Sequence, residues 1–239
     1  MTGPQGMGPL RPLLAEKLTL NGLIHWWDTS QSIITYSGAN ATNVEDLIGS
    51  SDLTDATGPT LTTLNGHPVL ESYLTRGNSA NTSSYLSVNL PDFPQPFSFL
   101  CVYARRNTGL GGALNGTGAV CDLRGQSGGF GNHDNPLFTV DTALTCYYAG
   151  ASTNLGTSPA FNTPQVLGVI GNGASSKLYV DGALMATVNI GTDGIDKLTI
   201  FNEIGGNFGH DLYWMEAQIS PNVEPSMPAI SAALLSKWN

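Results

Sequence analysis

The sequence has little charge, and most of that charge is negative. Only 11% of its 239 residues are charged, nine of them basic and eighteen acidic, which gives a formal net charge of −9. An average soluble domain is roughly 25% charged. A surface so poor in lysine and arginine offers no basic face to a phosphate backbone, so we expect no nucleic-acid partner.

Long apolar runs are missing as well. The longest uninterrupted run covers residues 99–104, whereas a membrane-spanning helix needs about 20 apolar residues. The first twenty residues lack the basic start, the apolar stretch and the small-residue cleavage site of a secretory signal. We therefore expect no membrane partner and no signal-directed export.

Cysteine is scarce, and its positions are apolar. The three cysteines, Cys101, Cys121 and Cys146, each lie inside a hydrophobic stretch, and no Cys-x-x-Cys pair occurs. An odd number of cysteines in a chain without a secretory signal argues against a disulfide framework. We expect all three to be small buried side chains with no redox or metal role.

What is present indicates one large β domain. Hydrophobic residues make up 41% of the chain, which is enough to fill a core. From residue 22 onward, short apolar runs alternate with clusters of Gly, Asn, Asp and Ser, and the clearest hairpin turns at Asp181-Gly182. Residues 97–105 are apolar on both faces, which predicts a strand covered on both sides. No helices alternate with the strands, so parallel α/β folds are excluded.

One helix is predicted, at the C-terminal end of the domain. Residues 227–238 place Ile230, Leu234 and Trp238 four apart, which forms one apolar stripe along a helix. Ser226 stands at the position of an N-cap. We expect the helix to lie against the strands and to cover an edge or an end.

Residues 1–20 are predicted to form an extended arm outside the domain of residues 21–239. Proline and glycine recur so closely that a regular helix cannot form, and proline favours extended backbone. The arm has too little apolar surface to fold on itself, so we expect it to dock onto a neighbouring subunit or a larger particle. The residues expected to make this contact are Pro4, Pro9, Leu10, Arg11 and Pro12.

Four segments, taken in order, resemble a known superfamily. They are LIHWWDTSQSI, LNGHPVLES with the following SYLSVNL, SKLYVDGALMATV, and HDLYWMEAQIS followed by ISAALLSKWN. Their order and spacing over residues 23–239 are similar to those of the concanavalin A-like lectin/glucanase superfamily, and specifically to the laminin-G-like jelly rolls of bacterial and bacteriophage surface proteins. The resemblance implies an all-β, two-sheet antiparallel jelly-roll sandwich with a concave face that often holds glycan. Residues 105–165 depart from the pattern.

The superfamily's β-glucan-cleaving enzymes carry a carboxylate run that is missing here. They present Glu-x-Asp-x-Glu or Glu-x-Asp-x-x-Glu on one strand, since residues two apart share a face and can hold an acid and a nucleophile about 5 Å apart. In this sequence Glu45 and Asp46 are adjacent, and Asp211 and Glu216 lie five apart, so each pair is expected to face opposite ways. We therefore expect a protein that is not an enzyme.

No cofactor is expected, although members of this superfamily can hold calcium in their loops. Two local clusters offer carboxylate and amide oxygens of the kind that calcium binds. They are Asp122 with Asp134 and Asn135, and Asp193 with Asp196. Solvated turn residues are the more ordinary explanation of both clusters.

The strand expected at residues 212–219 carries the candidate binding site. One face of a regular strand would pack in the core, and it consists of Tyr213, Met215, Ala217 and Ile219. The opposite face would carry Trp214, Glu216 and Gln218, an aromatic plate beside groups that can bond sugar hydroxyls. The alternative is structural: Trp214 packs under a strand or loop, and Glu216 bonds to backbone.

Three functions are consistent with these features. The first is a non-enzymatic surface protein of a bacteriophage virion, such as a head decoration, fibre or spike module, anchored through its arm to capsid or other virion subunits and repeated as a homo-oligomer. Release by cell lysis would place it outside the cell without a signal peptide. The alternative is a carbohydrate-binding adhesin for host-cell attachment, and a glycan-active hydrolase comes third.

Overall fold

The computed structural model describes residues 20–55, 58–72, 84–106, 118–123, 136–140, 143–202, 211–222 and 225–239. The predicted all-β class is confirmed, because strands dominate these ranges and one α-helix follows them. The strands are β1 His25–Asp28, β2 Ile34–Ser37, β3 Asn40–Val44, β4 Leu53–Thr54, β5 Thr60–Leu64, β6 His67–Glu71, β7 Leu86–Phe93, β8 Phe97–Arg105, β9 Gly118–Asp122, β10 Leu137–Val140, β11 Ala143–Tyr148, β12 Ala151–Thr157, β13 Pro164–Gly171, β14 Ser176–Val180, β15 Ala183–Val188, β16 Ile195–Ile200 and β17 Leu212–Ser220. The helix, α1, is Met227–Trp238.

The strands pair antiparallel and form one connected sheet that is nearly closed into a barrel. One run of neighbours is β17-β8-β13-β14-β15, with β1 and β6 along the other side of β17. The second run is β12-β11-β10-β9-β16-β7-β4-β3-β2. Strand β5 pairs with both β6 and β3 and so joins the two runs. The sequence led us to expect two sheets, and this pairing through β5 connects them into one.

Strand β8 is buried on both faces, as its apolar pattern predicted. Phe99 and Cys101 point into the interior and belong to the main apolar core. Leu100 and Val102 point the other way, into a second apolar cluster that includes residues of α1. The helix therefore covers the outer face of the strands whose inner face lines the core.

Helix α1 begins and ends where the sequence predicted. Ile230, Leu234 and Trp238 are all buried along one side, and burial of Ile230 and Leu234 contributes roughly 1.5–3 kcal/mol for each side chain. Ser226 occupies the N-cap position, but its side chain makes no capping hydrogen bond. In the ranges given above, no helix has the length and apolar character to span a membrane.

The three cysteines are free and buried, which confirms the prediction that they are small core side chains. Burial raises the pKa of the Cys146 thiol, and it also raises the pKa of the Cys121 thiol. A cysteine reacts as the thiolate, so a raised pKa and complete burial make these side chains unreactive.

The expected docking residues Pro4, Pro9, Leu10, Arg11 and Pro12 lie outside the described residues. Leu20, the last residue of the expected arm, is buried and packs in the cluster that includes α1. Its backbone N–H donates a hydrogen bond to Oε1 of Gln218 at 3.0 Å. Leu20 is therefore part of the packed domain and lies in the apolar cluster of the C-terminal helix.

The hairpin of β14 and β15 turns at Asp181-Gly182, as the sequence predicted. Both residues have positive φ, 51° and 81°, which tight hairpin turns require. The carboxylate of Asp181 accepts a hydrogen bond from the backbone N–H of Val166 at 2.8 Å. The turn lies against the start of α1, since a Cβ on residue 182 would stand 2.8 Å from Cα of Pro228.

We expect Gly182→Ala to destabilise the domain by loosening this contact between hairpin and helix. The matched control is Gly66→Ala, because Gly66 has nearly the same φ, 83°, but nothing within 4 Å of an added Cβ. The control should lose about 1–2 kcal/mol through the left-handed backbone alone, and Gly182→Ala about 1–3 kcal/mol more through overpacking. Urea unfolding measures both losses, and equal losses would show that the turn does not press on the helix.

Candidate functional site

A β-bulge in β17 changes which of its side chains share a face. Opposite β8, Trp214 pairs with Tyr103 and Glu216 pairs with Val102, so Met215 is an extra residue between them. An extra residue reverses the alternation of side chains beyond it. Trp214 therefore points into the main core, while Glu216 points to the opposite face, where it meets α1. The prediction that Trp214 and Glu216 share a face is wrong for this reason.

The three residues predicted to bind glycan are all buried. The exposed fractions of Trp214, Glu216 and Gln218 are 1%, 1% and 0%. A sugar ring cannot lie on an indole that is enclosed in the core, so the geometry does not support a glycan site here. The structural alternative holds in part, because Trp214 packs in the core but Glu216 bonds to side chains rather than to backbone.

The carboxylate of Glu216 is the centre of a buried hydrogen-bond network. Its Oε1 accepts from Nε1 of Trp26 at 2.8 Å and from Nε2 of Gln218 at 2.7 Å. Its Oε2 accepts from Nε1 of Trp238 at 3.0 Å and from Nζ of Lys237 at 2.7 Å. We call Glu216 with these four partners and Asp28 the Glu216 network. It joins β1, β17 and the last turn of α1.

Two carboxylates in the Glu216 network, those of Asp28 and Glu216, form ion pairs with the same lysine, Lys237. Nζ of Lys237 lies 2.6 Å from Oδ2 of Asp28 as well as 2.7 Å from Glu216. Burial, followed by the charge of Asp28, raises the pKa of Glu216. Burial alone would lower the pKa of Lys237, but the two carboxylates outweigh it and the pKa is raised. With both oxygens of Glu216 already accepting donors, the network serves to hold α1 in place.

A different part of the fold presents side chains to solvent. The last residues of β6 and β8 and the first residues of β13 and β17 lie side by side, with Arg105 opposite Leu212 and Ala104 opposite Pro164. Loops that leave a rigid sheet are where binding residues concentrate. We call this region the Arg105 end; it comprises Glu71, Arg105, Arg106, residues 158–164 and Tyr213.

Arg105 and Phe161 form a stacked pair at the Arg105 end. The central carbon of the guanidinium lies 4.6 Å from the centroid of the Phe161 ring. The backbone N–H of Asn162 donates to the carbonyl oxygen of Arg105 at 2.7 Å, which fixes the two residues relative to each other. The Phe161 side chain is nevertheless 50% exposed. Since the guanidinium covers one face of the ring, we infer that the exposed half belongs to the other face.

The surroundings of this pair were not expected from the sequence. Arg106 forms an ion pair with Glu71 beside it. Two residues before Arg105 on β8, the hydroxyl of Tyr103 donates to Oε1 of Gln165 at 2.6 Å. The sequence feature that could have pointed to this region is the adjacent pair Arg105 and Arg106, because the chain has only nine basic residues in all.

The two clusters named as possible calcium ligands gain no support from the structure. Asp134 and Asn135 lie outside the described residues, so their place relative to Asp122 is not given. The backbone carbonyl of Asp193 accepts a hydrogen bond from Nε2 of Gln95 at 2.8 Å. Within the part of the chain that the structure describes, no three His, Cys, Asp or Glu side chains gather as metal ligands would.

Known structures share the fold of this chain at low sequence identity. No family model and no curated protein matches the sequence. Trypanosoma rangeli sialidase in complex with the inhibitor DANA superimposes with a TM-score of 0.64 at 14% identity, over 95% of this chain and 35% of that chain. The receptor-binding domain of botulinum neurotoxin D gives a TM-score of 0.61 at 12% identity, over 90% of this chain and 52% of that chain.

These likenesses show a fold and no more. The chain spans about a third of the sialidase chain and about half of the toxin chain. The neighbours are β-sandwich or jelly-roll-like, which agrees with the expected concanavalin A-like character. They carry no information about a bacteriophage origin.

The expectation that the chain is not an enzyme is wrong in the light of the sialidases. These glycoside hydrolases share the fold over at least nine-tenths of this chain, with 95% and 90% coverage in two of their structures. The expectation rested on a missing Glu-x-Asp-x-Glu run, and that run is the pattern of β-glucan-cleaving enzymes rather than of glycoside hydrolases in general. The absence of that run therefore does not exclude a glycoside hydrolase.

We expect Lys237→Met to lower the free energy of unfolding by about 3–5 kcal/mol at pH 7, because it leaves two buried carboxylates without a counter-charge. The matched control is Lys177→Met, which removes an exposed lysine from β14 and should change stability by less than about 0.5 kcal/mol. Urea unfolding measures both. Equal losses would mean that Lys237 does not hold the Glu216 network together.

The loss in Lys237→Met should also depend on pH. Because the folded-state pKa of Glu216 lies above its ordinary value of 4.5, protonation of this group favours the folded state, and removal of Lys237 strengthens that effect. The deficit relative to the wild type should be largest at neutral pH and should shrink as the pH falls through the raised pKa toward 4.5. A deficit that stays constant with pH would contradict an ionised network.

Proposed function

We propose that the chain is a carbohydrate-recognition domain of the concanavalin A-like, two-sheet jelly-roll type, and that the Arg105 end binds the sugar. The observation that carries this proposal is Phe161, a half-exposed aromatic ring held from behind by Arg105. Aromatic rings bind sugars by stacking on the apolar C–H face of the pyranose, and neighbouring polar groups then bond the hydroxyls.

The residues beside Phe161 suit a sugar. Asn162 and Thr163 are exposed, and they supply an amide and a hydroxyl on the two residues that follow Phe161. The turn is held by the hydrogen bond from the backbone N–H of Asn162 to the carbonyl of Arg105 at 2.7 Å, and the Thr163 hydroxyl makes a longer contact, 3.4 Å, with the carbonyl of Phe161. A flat apolar surface with polar groups at its edge is the arrangement that a pyranose ring complements.

The neighbours in fold favour ligand recognition as the role to test first. A sialidase structure in this group contains sialic acid, and the toxin chain is described as a receptor-binding domain. Those properties belong to those proteins, of which this chain matches a third to a half. Together with the exposed ring at the Arg105 end, they support a glycan as the ligand.

We expect Phe161→Ala to weaken glycan binding about tenfold, since an aromatic contact contributes roughly 0.5–1.5 kcal/mol beyond its buried area. A broad glycan array, with and without calcium, compares the wild type with this variant. The matched control is Tyr36→Ala, because Tyr36 is an aromatic residue of similar exposure, 44%, on the β2–β3 hairpin. That variant should bind as the wild type does.

Three outcomes of the array decide between roles. Binding that is lost equally in both variants, or in neither, contradicts a site at Phe161. A folded wild type that binds no glycan contradicts the proposed function. Since sialidases share the fold, bound glycans are also incubated with the protein and analysed by chromatography, and release of sugar would make the domain an enzyme.

The chain is further proposed to act at the surface of a larger assembly, such as a bacteriophage particle, through residues 1–20. The buried Leu20 supports this placement, because it fixes the point at which the expected arm meets the domain. Removal of residues 1–19 should leave a domain that is folded by circular dichroism. In sedimentation it should be a monomer, whereas the full chain should be an oligomer. The same number of chains in the sedimenting species with and without residues 1–19 would contradict docking of the arm on a second copy.

A further inference from the structure

The hairpin of β2 and β3 leaves one edge of β2 without a neighbouring strand. Within the residues that the structure describes, β2 pairs with β3 alone. Its sequence, Ile-Thr-Tyr-Ser, contains neither a charged residue nor a proline, which are the residues that commonly keep an edge strand from pairing with another chain. The free edge of β2 can therefore receive an extended segment beside it.

Two large apolar side chains are exposed along this edge. Ile33, directly before β2, is 66% exposed, and Tyr36, near the end of β2, is 44% exposed. Residues three apart in an extended chain lie about 10 Å from each other and point to opposite faces. An occupant that lies along the edge, rather than on one face, can contact both side chains and remove apolar surface from water.

The surroundings of this edge are acidic. Residues 20–72, which include β1 to β6, contain no lysine or arginine. The carboxylate of Glu45 lies beside Ile33, because its Oε2 accepts a hydrogen bond from the Ile33 backbone N–H at 3.2 Å. Among the described residues, Glu45 is not a member of any ion pair. An edge of this kind is complementary to a segment that is both apolar and basic.

The expected arm has that composition. It carries two basic residues, Arg11 and Lys17, and one acidic residue, Glu16, in a chain whose net charge is −9. Arg11 stands between apolar residues in the run Pro-Leu-Arg-Pro of residues 9–12. The arm is therefore the basic part of an otherwise acidic molecule.

We propose that residues 9–12 of one copy dock along the free edge of β2 in a second copy. Arg11 then forms an ion pair with Glu45, and the two prolines cover Ile33 and Tyr36. This inference rests on the arm docking proposed above and adds the surface that receives the arm.

The dimensions of the two partners agree. Proline favours extended backbone with a rise of about 3.1 Å per residue, so residues 9 and 12 lie about 9 Å apart, close to the spacing along the edge of β2. Aromatic side chains are frequent partners of such proline-rich segments. Residues 1–19 in this conformation span about 60 Å, which is long enough to reach a neighbouring copy from Leu20.

Exchanging the two charges tests the proposal on the full chain. Sedimentation equilibrium gives the chain concentration at which half of the protein is associated. We expect Glu45→Lys and Arg11→Glu each to raise this concentration about tenfold or more, because like charges then meet across the interface. The double variant should recover most of the wild-type association, since the pair is restored with its charges exchanged.

The matched control is Asp193→Lys. It makes the same change of charge at an exposed position between β15 and β16, and it should leave the association unchanged. Circular dichroism establishes that each variant is folded before its association is compared with that of the wild type.

The outcomes separate this inference from the docking on which it rests. If removal of residues 1–19 dissociates the oligomer but folded Glu45→Lys associates as the wild type does, the edge of β2 is overturned and arm docking stands. The edge is also overturned if the double variant stays as dissociated as the single variants, or if Asp193→Lys weakens association equally. A full chain that sediments as a monomer overturns both.

Discussion

The fold depends on one buried carboxylate having all its hydrogen bonds. Transferring the charge of Glu216 out of water costs several kcal/mol, and only good geometry with every lone pair engaged offsets this cost. Two indoles, one amide and one ammonium group supply that geometry, and they come from β1, β17 and α1. Helix α1 is thereby fixed against the outer face of β8, β13 and β17, which would otherwise expose Leu100, Val102 and Val166 to water.

Features that depend on local pattern were predictable from the sequence. The apolar character of both faces of β8, the four-residue spacing along α1 and the Asp181-Gly182 turn can each be read from residues a few positions apart, and the structure has these features where they were expected. The bulge at Met215 was not predictable, because a period-two argument assumes an unbroken strand. One extra residue moved Trp214 into the core and left Glu216 on the helix side.

The candidate site could not be found in this way. Arg105 ends β8 and Phe161 precedes β13, far apart in the sequence, and they meet only because these two strands pair antiparallel. Nor could the sequence show that Arg106 pairs with Glu71, since Glu71 comes from a third strand. The missing carboxylate run is the pattern of one class of glycan-cleaving enzymes, and sialidases, which are glycoside hydrolases, share this fold over about a third of their chain.

The position of Leu20 has a mechanical consequence. The backbone N–H of Leu20 donates to the side chain of Gln218, and its own side chain packs in the cluster of α1. The carbonyl of the next residue, Asn21, accepts hydrogen bonds from Ser220 and Asn222. Gln218 in turn holds Glu216, to which Trp238 is bonded. Leu20 and the C-terminal helix therefore share the side chains that hold them, so force applied at Leu20 and detachment of the helix are coupled.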